Sequence, residues 1–428
     1  MAHINYYRLI NNMQQMSIHD AISPRPSNDS FGAFGGNKNQ RDLIGLHEIS
    51  RNLGAKGVVL IHNDPKFELK LSRIYTINPT LSRQTIVPQM YLANSNGSKE
   101  SFYDPLYGLP SSDVLDVIAP IPSDSRTLSE VQSVRSILAD YLEIISYQFN
   151  INNSAFGKYP YNLDLLYELT QMSYSELKKK VLSYLPVHKF ESLTRRLSAP
   201  EAQQKAFYAV RSFSATLEKC LWKYKGFSKH SKLSIIDTVL SKNLISIYVP
   251  GSRKETLDYL ASEFKALNDK NIPYLLITSD ITISESSDFQ KLFLSEHSSL
   301  PYSTGVLSEN IISIINNAAN TNYGVSDNTL LTSFFSQTQE IFVFSCSSTL
   351  AATPFSVGIG NYYRQVSEQH NDTHREPFRF FSSHGYGTTQ RETQQAIINP
   401  EELTSLGDGC LIYGSNHAIP ILINHFIF

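Results

Sequence analysis

Two short runs, "GVVLI" (Gly57–Ile61) and "PYLLIT" (Pro273–Thr278), are apolar at consecutive positions rather than at alternate ones. A strand wetted on one face alternates, so these runs predict strands covered on both faces, as in a parallel sheet between helical layers. "NLISIYV" (Asn243–Val249), "EIFVFSC" (Glu340–Cys346) and "CLIYG" (Cys410–Gly414) read the same way. Between two of them, residues 252–271 carry the helical spacing of an amphipathic helix. Strands alternating with helices define an α/β chain.

The pattern breaks in the middle. From about 115 to 241, "TLSEVQSVRSILADYLEIISYQF", "NLDLLYELTQMSYSELKKKVLSYL" and "PEAQQKAFYAVRSFSATLEKCLWKY" show helical periodicity. The expected organisation is an α/β domain made of residues 1–114 and 242–428, interrupted by an all-α domain at 115–241. The polar stretch Ser367–Gln395 reads as a long surface loop.

Ahead of the first apolar run, "FGAFGGNKNQRDLIGL" (Phe31–Leu46) nearly spells a phosphate-binding loop, G-x-x-x-x-G-K-[ST]. The frame runs from Gly32 to Asn39 and includes Gly35 and Gly36. Gly32 and Lys38 fit; Asn37 replaces the second glycine and Asn39 the metal-binding hydroxyl. Asn enters the left-handed backbone region more readily than other side chains, so Asn37 is a tolerable substitute there. Leu43, Leu46, Ile49 and Leu53 then mark a helix that Gly54 stops. Turn, helix, strand, and polar residues (Asp64, Lys66, Glu68) at the strand's end is the order of a nucleotide-binding core.

That order resembles the type IV coupling proteins, the ATPases of conjugation and type IV secretion. The similarity also rests on "INP" (Ile77–Pro79) and on the ending, where Pro400, Glu402, Leu403, Leu406, Gly414 and Pro420 fit an acidic helix start followed by a strand. It implies a RecA-like P-loop NTPase fold with a predominantly parallel sheet and an inserted all-α domain. It also implies ATP and Mg²⁺ as ligands, secretion-system proteins as partners, and hexameric assembly. The departures matter as much. The strand matching the family's acidic one, "YLLITSDITIS", has Asp280 followed by Ile281 rather than Glu. Where a glutamine senses the γ-phosphate, the chain offers Glu309, and "LSEHSSLPYS" has no arginine for a neighbouring subunit. The N-terminal membrane helices usual in the family are not seen.

Phosphoryl transfer is almost wholly positioning and charge neutralisation, so several altered parts imply a pseudo-ATPase acting as a scaffold or recruiter. Two other readings stay open. One is an active DNA- or protein-translocating ATPase with a divergent site. The other is an unrelated cytosolic α/β enzyme using Asp64 and Glu68.

Charge and cysteine usage narrow the partners. The net charge of −2 argues against a DNA-binding surface, leaving "ELKKKVL" (Glu176–Leu182) and Lys223–Lys232 as local basic runs. Cys220, Cys346 and Cys410 are too scattered for zinc and read as core residues in a reducing compartment. Cys346 lacks a His–Asp partner for nucleophilic work, and His370 and His374 sit in a polar stretch ill-suited to a metal. No apolar run nears the ~20 residues of a membrane span. A cytoplasmic protein, peripheral at the inner membrane face through its partners, is expected.

Overall fold

The computed structural model describes residues 16–17, 30–94, 111–119, 125–148, 163–172, 175–177, 179, 234–249, 251, 254–294, 301–311, 328–374, 383–414, 420–423 and 426–427. Cys220, the helix expected at 200–224 and the basic run Lys223–Lys232 lie outside them.

A nine-stranded sheet organises these residues. Its strands are β2 (Phe31–Phe34), β3 (Gly57–His62), β4 (Met90–Asn94), β5 (Leu244–Tyr248), β6 (Tyr274–Ser279), β7 (Ser303–Ser308), β8 (Glu340–Val343), β11 (Cys410–Tyr413) and β12 (Ile421–Ile423). Their spatial order is β12-β11-β8-β2-β7-β6-β3-β5-β4. From β8 through β4 every pair is parallel; only β11 runs antiparallel to its two neighbours. A separate pair joins β1 (Met16–Ser17) to β13 (Phe426–Ile427).

The apolar runs behave as their composition requires. All six residues of β3 and of β6 are buried. Because successive side chains alternate, Val59, Ile61, Tyr274 and Leu276 join the core on one face, while Val58, Leu60, Leu275 and Ile277 join the other. The second face is closed by α1 (Lys38–Asn52) and the single helical turns Glu68–Leu71 and Ile74–Ile77. The first face is covered by a larger helical layer. It contains α2 (Ser111–Ile118), α3 (Ser125–Gln148), α4 (Leu163–Gln171), α5 (Ile235–Leu240), α6 (Lys254–Asp269), α7 (Ser287–Leu294), α8 (Asn328–Gln337) and α9 (Thr349–Ile359). At roughly 2 kcal/mol for each fully buried aliphatic side chain, these two cores supply the main drive to fold.

Two sequence expectations need correction. Phe31–Phe34 is not part of a turn: it is a fully buried strand between β8 and β7, so Gly32 is a sheet residue. The polar stretch Ser367–Gln395 is not a loop. Most of it lies in a β-ribbon of β9 (Asn361–His374) and β10 (Ser383–Ala396), antiparallel and in register over 14 residues in each strand, with His370 and His374 on β9. Backbone pairing satisfies that segment's polar groups, which composition alone does not reveal.

Candidate nucleotide-pole site

Successive connections after β2 fill the sheet on its β7 side, and only later does β8 add to the other side. Such a reversal leaves a crevice beyond the carboxyl ends of the strands, where ligands bind in open α/β sheets. Gly35, Gly36 and Asn37 follow β2 there, Asn63 and Asp64 follow β3, Asp280 follows β6 and Glu309 follows β7. The fold therefore gathers almost every residue that the sequence singles out at this pole.

Just three residues connect β2 to α1. Gly35 and Gly36 take the left-handed backbone, with φ of 70° and 57°. Asn37 does not: it is extended, with φ of −86°, and caps the helix. Its side-chain Oδ1 accepts from Gln40 N at 3.0 Å, while Gln40 Oε1 accepts from Asn37 N at 2.9 Å. This reciprocal capping box explains the asparagine as a helix starter rather than a glycine substitute.

A phosphate-binding loop needs its N–H groups aimed at the ligand. Here those of Gly35, Gly36 and Asn37 are committed within the chain. Gly35 N donates to Glu309 O at 3.3 Å, Gly36 N to Ser345 O at 2.7 Å, and Asn37 N to Gln40 as above. A Cβ on Gly36 would come within 2.6 Å of Phe344 Cβ, so this turn lies flat against Phe344. The carbonyls are committed too: Arg41 Nη1 donates to Gly35 O at 2.7 Å and Gly36 O at 3.0 Å.

Charge at the pole is balanced internally. Lys38 Nζ lies 2.6 Å from Asp280 Oδ2, 3.8 Å from Asp42 Oδ1 and 3.9 Å from Asp64 Oδ2. It also donates to Ser279 Oγ at 3.3 Å. Arg41 Nη2 reaches the other oxygen of Asp280 at 3.3 Å. Asp280 is held with a left-handed backbone, φ 50°, and Asn63 Nδ2 donates to its carbonyl at 2.5 Å. A non-glycine residue in that conformation costs roughly 1–2 kcal/mol, and its carboxylate spans both cations. The anion that these two cations attract is thus supplied by the protein itself.

The metal side of the site is likewise occupied by protein groups. Asn39, in the hydroxyl position, accepts from Lys70 Nζ at 2.6 Å. The same ammonium donates to Asp42 Oδ2 at 2.7 Å. Burial pushes the Asp42 carboxyl up, opposed by the Lys70 hydrogen bond and by the charges of Lys38 and Lys70. Among the described residues no cluster of His, Cys, Asp or Glu is arranged to hold a metal. As arranged, Lys38, Asn39 and Asp42 are all held by protein groups.

Other predicted positions fall nearby but apart from the charge cluster. Asp64 caps the turn after β3 by accepting from Lys66 N at 2.9 Å. Glu68 Oε1 stands 3.7 Å from Nε2 of the buried His62. His62 donates through Nδ1 to Asp64 O at 2.7 Å, and its Nε2 is hydrogen-bonded with Ser246 Oγ at 2.9 Å. The Glu309 side chain is exposed; its backbone, not its carboxylate, meets the turn. Cys346 and Cys410 are buried, and burial pushes the Cys346 thiol up to about 11, which suits a core residue and not a nucleophile.

Arg41, Asp42, Asn63, Lys70 and Ser279 were not among the residues chosen from sequence. Arg41 and Asp42 carried a readable signal, since residues three and four after Lys38 share its helix face. Lys70 and Asn63 carried none, because only the sheet order brings them here.

No family model matches the sequence, and no curated protein matches it. Solved structures do match in fold. The bacterial conjugative coupling protein TrwBdeltaN70, in an unbound form, superposes with a TM-score of 0.54 at 8% identity, covering 99% of this chain and 92% of that one. The plasmid coupling protein TrwB in complex with the GTP analogue GDPNP gives 0.52 at 10% identity, and TrwB in complex with ADP and Mg²⁺ gives 0.51 at 9%. Both of these matches cover 98% of this chain and 92% of TrwB. The chain has the RecA-like P-loop ATPase fold of these coupling proteins, with a mostly parallel nine-stranded sheet.

Proposed function

We propose that this chain is a coupling-protein-like component of a type IV secretion or conjugation apparatus, working as a scaffold or recruiter rather than as a motor. One observation carries the reading: the N–H groups of Gly35, Gly36 and Asn37 and the Lys38 ammonium are spent on the protein's own groups, with Asp280 as the counter-ion of Lys38. A relic of a nucleotide site that has become a structural joint would look like this. The fold shared with TrwB supports placement in such an apparatus by analogy of fold.

In this reading residues 115–241 form the inserted all-α domain and serve as an interaction surface toward secretion-system partners. An active coupling ATPase, within or beside a hexamer, is the natural one. Placement is cytoplasmic, peripheral to the inner membrane face through those partners; among the described residues no helix is long and apolar enough to cross a membrane.

Binding of a fluorescent ADP analogue and Mg²⁺-dependent ATP hydrolysis test the proposal on the purified chain. Absence of turnover, with binding weak and indifferent to Mg²⁺, is expected. Hydrolysis that requires Mg²⁺ and disappears in Lys38→Ala would overturn it in favour of a divergent translocating ATPase.

A further inference from the structure

At the opposite pole, three loops converge where adjacent strands begin. Residues 54–56 lead into β3, 83–89 into β4 and 241–243 into β5, and these strands are neighbours in the order β3-β5-β4. Between the loops lies a cleft of about 500 Å³, within the range of ligand-binding pockets. Its frame is fixed by hydrogen bonds to the backbone. Asn243 Oδ1 accepts from Gln89 N at 2.9 Å, Asn243 O accepts from Val58 N at 2.9 Å, and Tyr75 donates to Pro88 O at 2.6 Å.

Two cations, Arg83 and Lys242, line the cleft, and no carboxylate does. Among the described residues neither cation makes an ion pair, in contrast to the self-neutralised cluster at the nucleotide pole. The remaining polar walls, Gln84, Thr85 and Ser241, are hydrogen-bonding and uncharged. Apolar surface adjoins them. Ile86 lines the cleft with 81% of its surface exposed, and Val87 and Leu240, next to lining residues in sequence, are also exposed.

Lys242 supplies a second, independent observation. It follows the C-cap of α5 with φ of 56°, where Lys242 N bonds Val239 O and Asn243 N bonds Thr238 O. That is the Schellman ending of a helix, whose left-handed position glycine fills without strain. A lysine there holds its backbone in a disfavoured conformation, a cost that recurs at binding sites. Its side chain belongs to the lining of a cleft that has no acid of its own.

We propose that this cleft docks a short acidic and aliphatic peptide segment of a partner protein. Arg83 and Lys242 take its carboxylates, and the Ile86 rim takes the neighbouring aliphatic side chain. Charge complementarity selects the anion, and the exposed rim selects a peptide over a small polar acid. The assignment stands apart from the nucleotide pole and does not need that site to be inactive.

The test uses the full chain and an array of fluorescein-labelled decapeptides in which Asp, Glu and Leu are placed systematically in a Gly-Ser background. Anisotropy titrations then compare the tightest binder with its Asn/Gln counterpart on wild type, Arg83→Gln and Lys242→Gly. Each charge removed, on either side, is expected to weaken binding about tenfold. Lys242→Gly should at the same time raise the urea midpoint, which separates lost docking from lost folding. Equal binding by the amide peptide, or no response to either substitution, would overturn the proposal. So would full displacement by millimolar inorganic phosphate, which would make the cleft a site for small anions.

Discussion

Replacing Asp280 separates the two things this residue does, since it carries a charge and holds a left-handed backbone. Its carboxylate meets Lys38 at 2.6 Å and Arg41 at 3.3 Å, with the Asp280 and Lys38 side chains about a quarter exposed at 24% and 28%. The bare attraction to Lys38 is about 6 kcal/mol at an effective dielectric of 20 and under about 2 in bulk water. Desolvation of both ions and partial screening reduce that to a net of about 2 kcal/mol. The backbone adds its own term: at φ of 50° a side chain with a Cβ but no local polar group loses roughly 1 kcal/mol more. Asp280→Ala should therefore cost about 3 kcal/mol, Asp280→Gly about 2, and Asp280→Asn about 1, because the amide still accepts a hydrogen bond and tolerates the conformation. Urea unfolding at pH 7 reads the series. A fluorescent ADP analogue reads its consequence, since Lys38 freed by Asp280→Asn should bind the analogue more tightly than wild type does. If Ala equals Gly in stability, Asp280 is unstrained in solution. If Asn is as stable as Asp and binds nucleotide no better, the internal-anion argument fails.

Four further outcomes are expected. Restoring the loop's spelling with Asn37→Gly and Asn39→Ser should not produce Mg²⁺-dependent nucleotide binding by calorimetry, because the Gly35 and Gly36 donors and Lys38 stay committed elsewhere. Lys70→Met strands the buried Asp42 and should cost about 2 kcal/mol at pH 7. The raised Asp42 pKa makes its contribution fullest below the unfolded value and lost as pH rises through the folded one, so the variant's deficit should shrink toward pH 4 in paired urea titrations. Burial pushes the Glu48 carboxyl from 4.5 to about 7 despite Arg51 at 2.8 Å, so stability should fall between those pH values by at most about 3 kcal/mol, and Glu48→Gln should flatten that slope. Excising 361–396 and bridging Gly360 to Ile397, whose backbones already bond at 3.1 Å, should leave the urea midpoint unchanged, because β9 and β10 form a sheet of their own.

Much of the scaffold was legible along the chain. Unbroken apolar runs can be satisfied only by cover on both faces, so Gly57–Ile61 and Pro273–Thr278 announced β3 and β6 as inner strands. Helix α1 and its stop at Gly54, φ 85°, followed from spacing and glycine chemistry. The resemblance to coupling proteins named the fold that the superposition on TrwBdeltaN70 shows. Two local readings failed for a shared reason. Phe31–Phe34 is too short and glycine-broken to show a strand pattern, and Asn361–His374 and Ser383–Ala396 are too polar; cross-strand hydrogen bonds, invisible in a linear pattern, made them into strands.

Residue types at the nucleotide pole were determined by the sequence alone: a lysine without its hydroxyl neighbour, and an aspartate without its glutamate, at Lys38, Asn39 and Asp280. What those residues do was decided by tertiary structure. Asp280 is 242 positions from Lys38, and only the placement of β6 one strand beyond β7 brings the carboxylate onto the ammonium. The near-match to a phosphate loop says which groups are present; hydrogen bonds to Glu309 and Ser345 say where those groups point. A donor's direction is a property of the folded backbone, so no spelling of the loop could have supplied it.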